Sequence, residues 1–346
     1  MSQRFLVVRL SSIGDIVHTL PAVAALGQAC PEAEIHWAVE KRYAVLVEGN
    51  PYVHRVLKFD TLGWRRSLGS RATLEEMVRS VLEMRRQEYH TAIDFQGLIK
   101  TGFLARLSRA HRRLGLEKKW LREPLAAIFY TDRVGAVRRR HAIEESLALV
   151  EHLGAPRVEP AHWQFPLPRT TDGDRMVTER LQSLGARDFI VINPGGGWIS
   201  KRWAPENYAD LIRRLEPELP WHFLLTGSPA EEPVIQEIIR RAGTPRTSYF
   251  AATLVELIAL ERRARLFVGG DTGPLHLAAA VGTPIVAIYG PTDPARNGPF
   301  APDDIALSNL GPIRHTRRAR NPSYLPGIGV ESVHAAVRER LTRLHE

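Results

Sequence analysis

Short apolar runs alternate with longer stretches of helical periodicity along this chain. Phe5 to Leu10 reads as a buried strand, and the pattern from Ile16 to Cys30 reads as a helix with Pro21 in its first turns. Glu34 to Val39 and Val53 to Phe59 read as strands, Thr73 to Gln87 as a helix and Thr91 to Phe95 as a short strand. After residues 156–173, rich in Pro, Arg and Thr, the alternation restarts. Strands are expected at Phe189 to Asn193, Trp221 to Thr226, Leu266 to Val268 and Pro284 to Tyr289. Helices are expected at Pro205 to Leu215, Glu231 to Ala242 and Gly273 to Val281, with a closing helix from Val330 to His345. This rhythm predicts an α/β protein of two domains, residues 1–170 and 171–346, each a parallel sheet covered by helices. A ligand would lie most naturally in a cleft between them, near the carboxyl ends of strands.

The length of 346 residues agrees with two domains at about 150 residues each. Apolar residues make up 44% and charged residues 25%, which excludes a disordered, collagen-like or disulfide-scaffold chain. Cys30 is the single cysteine, so an intramolecular disulfide, a four-cysteine zinc site and a CxxC redox motif are excluded. No apolar run resembles a leader peptide, and none reaches the roughly 20 residues of a membrane span. The net charge is +9, and residues 100–140 hold 12 Lys plus Arg against 3 acidic residues. The basic excess is therefore localised. It is either a solvated face or a surface for an anionic partner: a nucleic acid, a membrane or a phosphorylated substrate. A nucleic-acid binder would need a basic face interleaved with aromatics or a recognisable module. The block offers only Phe103, Trp120, Phe129 and Tyr130, and no such module.

Three strand-to-helix turns carry candidate chemistry. Ser11-Ser12-Ile13-Gly14-Asp15 follows the first strand, and Asp15 is either the N-cap of the next helix or a general base. The segment is not GxGxxG, so a dinucleotide site has poor support. Asn193-Pro194-Gly195-Gly196-Gly197 runs toward Lys201, where glycine backbone could present N–H groups to phosphate and the lysine a positive charge; a flexible loop with a surface lysine is the plain alternative. Gly270-Asp271-Thr272-Gly273-Pro274-Leu275-His276 opens a helix whose N-terminus suits a phosphate. Asp271 would not face a diphosphate directly but could orient neighbours, and His276 alone reads as a structural histidine. At a further turn Glu231 and Glu232 could accept ribose hydroxyls or simply favour the helix dipole. No HExxH or HxH cluster occurs, so no metal site is expected.

Taken together, SSIGDIVHTLP from Ser11, DFQGLIKT from Asp94, REPLA from Arg122, GDTGPLHLAAA from Gly270 and YGPTDP from Tyr289 resemble the lipopolysaccharide heptosyltransferases of glycosyltransferase family 9. SSIGD with HTLP, Trp64-Arg65-Arg66 and REPLA resemble the heptosyltransferase I branch most; DTGPLH departs from its usual DTGLSH. The resemblance implies a GT-B fold, two Rossmann-like domains facing across a cleft, with acceptor on the N-terminal domain and nucleotide sugar on the C-terminal one. It implies inverting, metal-free transfer of heptose from ADP-heptose to the first Kdo of Kdo2-lipid A, with no cofactor. The alternative is a heptosyltransferase II or another family 9 enzyme with a different acceptor or nucleotide sugar. Asp15 then matches the general base and Lys201 the group that stabilises the leaving diphosphate. Ser12, Gly14, Glu231, Asp271, Thr272, Gly273 and His276 match donor contacts, with Glu232 the register alternative to Glu231. Arg66, Gln96, Lys100, Arg122 and Arg140 are expected acceptor contacts, with Arg139 and His141 behind them. The resemblance further implies a cytoplasmic enzyme held peripherally on the anionic inner-membrane surface by its basic block.

Overall fold

The computed structural model describes residues 3–67, 69–135, 141–197, 199–309 and 325–344. The chain divides into two compact units, Met1–Pro168 and Arg169–Glu346.

The first unit holds strands β1 (Arg4–Val8), β2 (Glu34–Glu40), β3 (Arg55–Phe59), β4 (Thr91–Asp94), β5 (Arg112–Leu116) and β6 (Asp132–Val134). Its helices are α1 (Ile13–Val17), α2 (Leu20–Ala29), α3 (Thr61–Arg66), α4 (Arg71–Arg85), α5 (Ile99–Leu107) and α6 (Ala142–Glu151). The second unit holds β7 (Phe189–Asn193), β8 (His222–Leu225), β9 (Thr247–Tyr249), β10 (Leu266–Gly270), β11 (Ile285–Tyr289) and β12 (Ile305–Ser308). Its helices are α7 (Thr171–Ser183), α8 (Pro205–Leu215), α9 (Glu232–Ala242), α10 (Leu254–Glu261), α11 (Gly273–Ala280), α12 (Pro294–Asn297) and α13 (Val330–Thr342).

All pairings are parallel, and the two six-stranded sheets have the same topology. The first runs β3-β2-β1-β4-β5-β6 and the second β12-β11-β10-β7-β8-β9. Counted within its own unit, each is the doubly wound order 3-2-1-4-5-6. The central strands are buried on both faces, as their unbroken apolar runs require. Along β7 the alternation of side chains divides the core. Ile190 and Ile192 join the cluster of α8, α9 and α13, while Phe189 and Val191 join that of α7, α10 and α11.

The expected helix from Ile16 to Cys30 is two helices, α1 and α2. Pro21 has no N–H to continue the ladder, and it sits in the first turn of α2 instead. Helix α7 begins inside the expected linker, burying Gly173, Val177 and Leu181 on one face. The outlying strands β5, β6, β9 and β12 had no counterpart in the pattern. Each is five residues or fewer and partly exposed, so none carries a continuous apolar run. The closing helix α13 belongs to the second unit, with Val333, Ala336, Val337 and Leu341 in its core. Among the described residues no helix is long and apolar enough to cross a membrane.

Candidate active site

A doubly wound sheet binds ligands at the carboxyl ends of its strands where the order reverses. Those points fall between β1 and β4 in the first unit and between β7 and β10 in the second. The loops that leave these strands are SSIGD and DFQG in the first unit, and the triple-glycine turn and GDTG in the second. The topology thus selects the same segments as the motif reading.

In the first unit Asp15 lies in α1 with its side chain 47% exposed. One carboxylate oxygen accepts from the Arg9 guanidinium at 3.0 Å. The other accepts from the Ser12 backbone N–H at 2.9 Å and the Ser12 hydroxyl at 3.1 Å. Ser12 is therefore the N-cap, and Asp15 is the third helical residue reaching back to it. This corrects the expectation of Asp15 as N-cap while leaving its outer face open. Gly14 is buried in the same turn. The Arg9 side chain is only 9% exposed. It also donates to the backbone oxygens of Asp15 and Phe95, so the cation is fixed behind the carboxylate. Gln96 braces the loop: its Oε1 accepts from Leu10 N–H at 2.9 Å, and its amide donates to Ser11 Oγ at 3.4 Å. Asp94, fully buried, accepts from the Thr101 and Tyr130 hydroxyls and the N–H groups of Gln96 and Gly97, which fixes the second loop. Burial pushes its carboxyl up against those lowering bonds.

In the second unit the polarity inverts. Lys201 Nζ donates to Asp271 Oδ2 at 2.6 Å, and His276 Nε2 lies 3.2 Å from Asp271 Oδ1. The Asp271 side chain is 7% exposed and that of Lys201 13%. Burial alone would raise the Asp271 carboxyl, but the His276 bond and charge and the Lys201 charge outweigh it and hold it well below the usual range. His276 is thus a partner of Asp271. Thr272 is the N-cap of α11, its hydroxyl 3.3 Å from Asn193 Oδ1. Gly273 and Pro274 open that helix and leave its first N–H groups free of intrahelical partners. Glu231 is half-buried. Its Oε1 accepts from Gly196 N–H at 3.3 Å, and its Oε2 accepts from the N–H and hydroxyl of Ser228, each at 2.8 Å. A Cβ on Gly195 would lie 2.4 Å from Glu231 Oε1, whereas one on Gly197 would meet nothing within 4 Å. Glu232 is exposed at the start of α9, so Glu231 is the residue of the pair that belongs to this turn.

The expected acceptor residues are less concentrated. Lys100 is partly buried on α5, and burial and the charge of Arg65 lower its pKa. Arg65 and Lys100 line a groove of about 570 Å³ with Phe103, Glu123 and Phe129. Arg66 and Arg122 are exposed. His141 caps α6, accepting from Ile143 N–H at 3.2 Å, and packs against the His18 and Trp163 rings. Arg139 and Arg140 lie outside the described residues. Two residues were missed by the motif reading. Arg9 was marked only by being a charge inside an apolar strand run, a pattern that demands a buried partner. Arg202, whose guanidinium donates twice to Gly196 O and so pins the glycine turn, carried no signal. Among the described residues no group of three or more His, Cys, Asp or Glu side chains is placed to hold a metal ion.

Two doubly wound parallel domains, each with polar loops at its switch point, are the architecture of the GT-B glycosyltransferases. Residues 77–325 match the model of glycosyltransferase family 9 (heptosyltransferase), and the chain belongs to that family. It is 28% identical over 318 residues to lipopolysaccharide heptosyltransferase 1 of Pseudomonas aeruginosa, covering 88% of this chain and 84% of the relative. To lipopolysaccharide heptosyltransferase 3 of Escherichia coli K12 it is 27% identical, covering 95% of each. The solved structure of E. coli heptosyltransferase WaaC with ADP superposes with a TM-score of 0.81 at 25% identity, covering 98% of this chain and 100% of that one. E. coli ADP-heptose lipopolysaccharide heptosyltransferase II shares the fold, with a TM-score of 0.76 at 20% identity and coverage of 99% and 100%.

Proposed function

We propose that this chain transfers L-glycero-D-manno-heptose from ADP-heptose to the first Kdo of Kdo2-lipid A, with inversion at the anomeric carbon. The observation that carries the reading is the pair of oppositely oriented ion pairs at equivalent switch points: a carboxylate presented in one unit, an ammonium in the other. The first unit takes the acceptor and the second the nucleotide sugar. Asp15 accepts the proton of the acceptor hydroxyl as its oxygen bonds to heptose C1. The bond from C1 to the phosphate oxygen breaks, and ADP leaves with the electron pair. Lys201, with the N–H groups at the start of α11, meets the negative charge that develops there. Thr272 and Gly273 hold the diphosphate, Glu231 the ribose, and Asp271 and His276 the lysine. Ser12 and Gly14 shape the turn that carries Asp15.

No metal or organic cofactor has a role in this reading. Arg66, Gln96, Lys100 and Arg122 bind the carboxylates and phosphates of the acceptor, and the enzyme works at the cytoplasmic face of the inner membrane. The test is mass spectrometry of protein incubated with ADP-heptose and delipidated Kdo2-lipid A in EDTA. A gain of one heptose with ADP release is expected. Protection of the protein against heat by ADP-heptose without product would move the acceptor elsewhere. A heptose-bearing acceptor is the second reading, favoured by the full-length likeness to a heptosyltransferase 3.

A further inference from the structure

Four large apolar side chains of the first unit stand in solvent on neighbouring elements. Ile99 and Phe103 lie one turn apart on α5, 42% and 50% exposed. Leu125 and Ile128 are three residues apart in the 3₁₀ turn Pro124–Phe129, 62% and 69% exposed. Ala126 and Ala127 of that turn face inward onto Leu121 and Tyr130. The two elements pack as one body: the Phe103 and Phe129 rings are 5.9 Å apart, and a Cβ on Gly102 would come within 2.9 Å of Phe129. A contiguous exposed apolar patch of this kind marks an interaction surface.

Its surroundings say what covers it. Arg106 follows Phe103 on the same face of α5, and exposed Lys118, Lys119 and Arg122 lie on the segment that leads into the 3₁₀ turn. Over the described residues 100–135, nine Lys plus Arg stand against three acids. Apolar side chains bordered by a threefold excess of cations, with Glu123 the acid beside Ile99, match the chemistry of an anionic lipid interface, where acyl chains meet phosphate headgroups. Helix α4 offers a contrast. Its exposed Leu74, Val78 and Leu82 are flanked by Arg71, Glu75, Arg79 and Glu83, of both signs, so nothing there selects an anionic surface.

We propose that α5 and the 3₁₀ turn after it form a wedge that inserts into an anionic bilayer, with Leu125 and Ile128 at its tip. The inference rests on the lipid-borne acceptor proposed above, but its test needs no turnover. Full-length protein is sedimented with vesicles of phosphatidylglycerol and phosphatidylethanolamine, and with phosphatidylcholine vesicles as the neutral control. Binding to the anionic vesicles is expected, and Leu125→Ser with Ile128→Ser together should weaken it about tenfold. Val78→Ser should leave it unchanged. Leu125→Trp should show a blue-shifted emission on anionic vesicles and none on neutral ones. The double variant should still glycosylate the delipidated acceptor at the rate of the parent chain, which also shows that it folds.

Unchanged vesicle binding by the double variant, or equal loss with Val78→Ser, overturns the proposal. Conversion of a dimer to a monomer by the double variant, read by analytical ultracentrifugation, would make the patch a contact between copies instead. Loss of transfer by the parent chain with vesicle binding intact would sink the reaction reading alone.

Discussion

The two switch points occupy the same place in the same topology and present opposite charge. In the first unit a buried cation, Arg9, stands behind a half-exposed carboxylate, Asp15. In the second a buried carboxylate, Asp271, stands behind the ammonium of Lys201. The shared strand order therefore fixes where a reactive group sits, and the buried partner decides its sign. Each partner also limits how the presented group can move. Arg9 and Ser12 hold separate oxygens of Asp15, and Asp271 is itself held by His276. Such pairs earn little net stability, because desolvating two charges offsets most of their attraction. Their value here is positional.

The comparison can be broken most severely at Asp15 and Lys201, the two groups that the proposed reaction uses. Asp15→Asn should lower kcat about a thousandfold while the dissociation constant for ADP-heptose stays close to that of the parent chain. Wild-type turnover would remove the base from the scheme. Lys201→Ala should lower kcat about a hundredfold and weaken donor binding as well, because in the proposed reaction the charge acts on the departing diphosphate. A variant altered only in melting temperature would deny it that role.

The buried members should matter less and differently. Arg9→Lys and Asp271→Asn should each cost about tenfold in kcat. The first should spare donor affinity and the second should not, if the two units divide the substrates as proposed. Equal effects on donor affinity would erase the division.

The smallest effect concerns an acid with no counterpart of this kind. Glu261 at the end of α10 is fully buried, and neither carboxylate oxygen has a partner among the described residues. Burial pushes its pKa well above 4.5, whereas the partners of Asp271 hold that carboxyl down. A group raised on folding contributes stability below its unfolded pKa that is lost as pH rises toward its folded one. Glu261→Gln should thus raise the melting temperature by a few degrees, with the gain growing from pH 4 to pH 8 and kcat unchanged. Asp271 has the reverse sign: its contribution is present above the unfolded carboxylate range and is lost as pH falls through its lowered folded value.

Much of this arrangement is legible in the sequence. Central strands such as Phe189–Asn193 and helices such as Pro205–Leu215 are buried through whole faces, so their periodicity is strong. The outer strands β5 and β9 are held by one or two neighbours and half exposed, and their residues carry no comparable pattern. The turns at the switch points are legible because sharp backbone reversal between a strand and a helix restricts residue type. The ion pairs were not: Lys201 and Asp271 are separated by 70 residues, and only the parallel pairing of β7 with β10 brings them together. Gln96 shows the same limit, since its side chain belongs to the loop after another strand. The motif marked the residue, and only the sheet supplied its partners.

The triple-glycine turn has a consequence for anyone wishing to redesign the donor pocket proposed for the second unit. Its three glycines look interchangeable in the sequence, yet two of them are already spoken for. At Gly195 an added methyl would strike the Glu231 carboxylate, and at Gly196 it would strike the Arg202 side chain. Gly197 faces open space. In a randomised library the viable changes should gather at this last position, which makes it the handle for teaching the enzyme a new sugar nucleotide without rebuilding the loop.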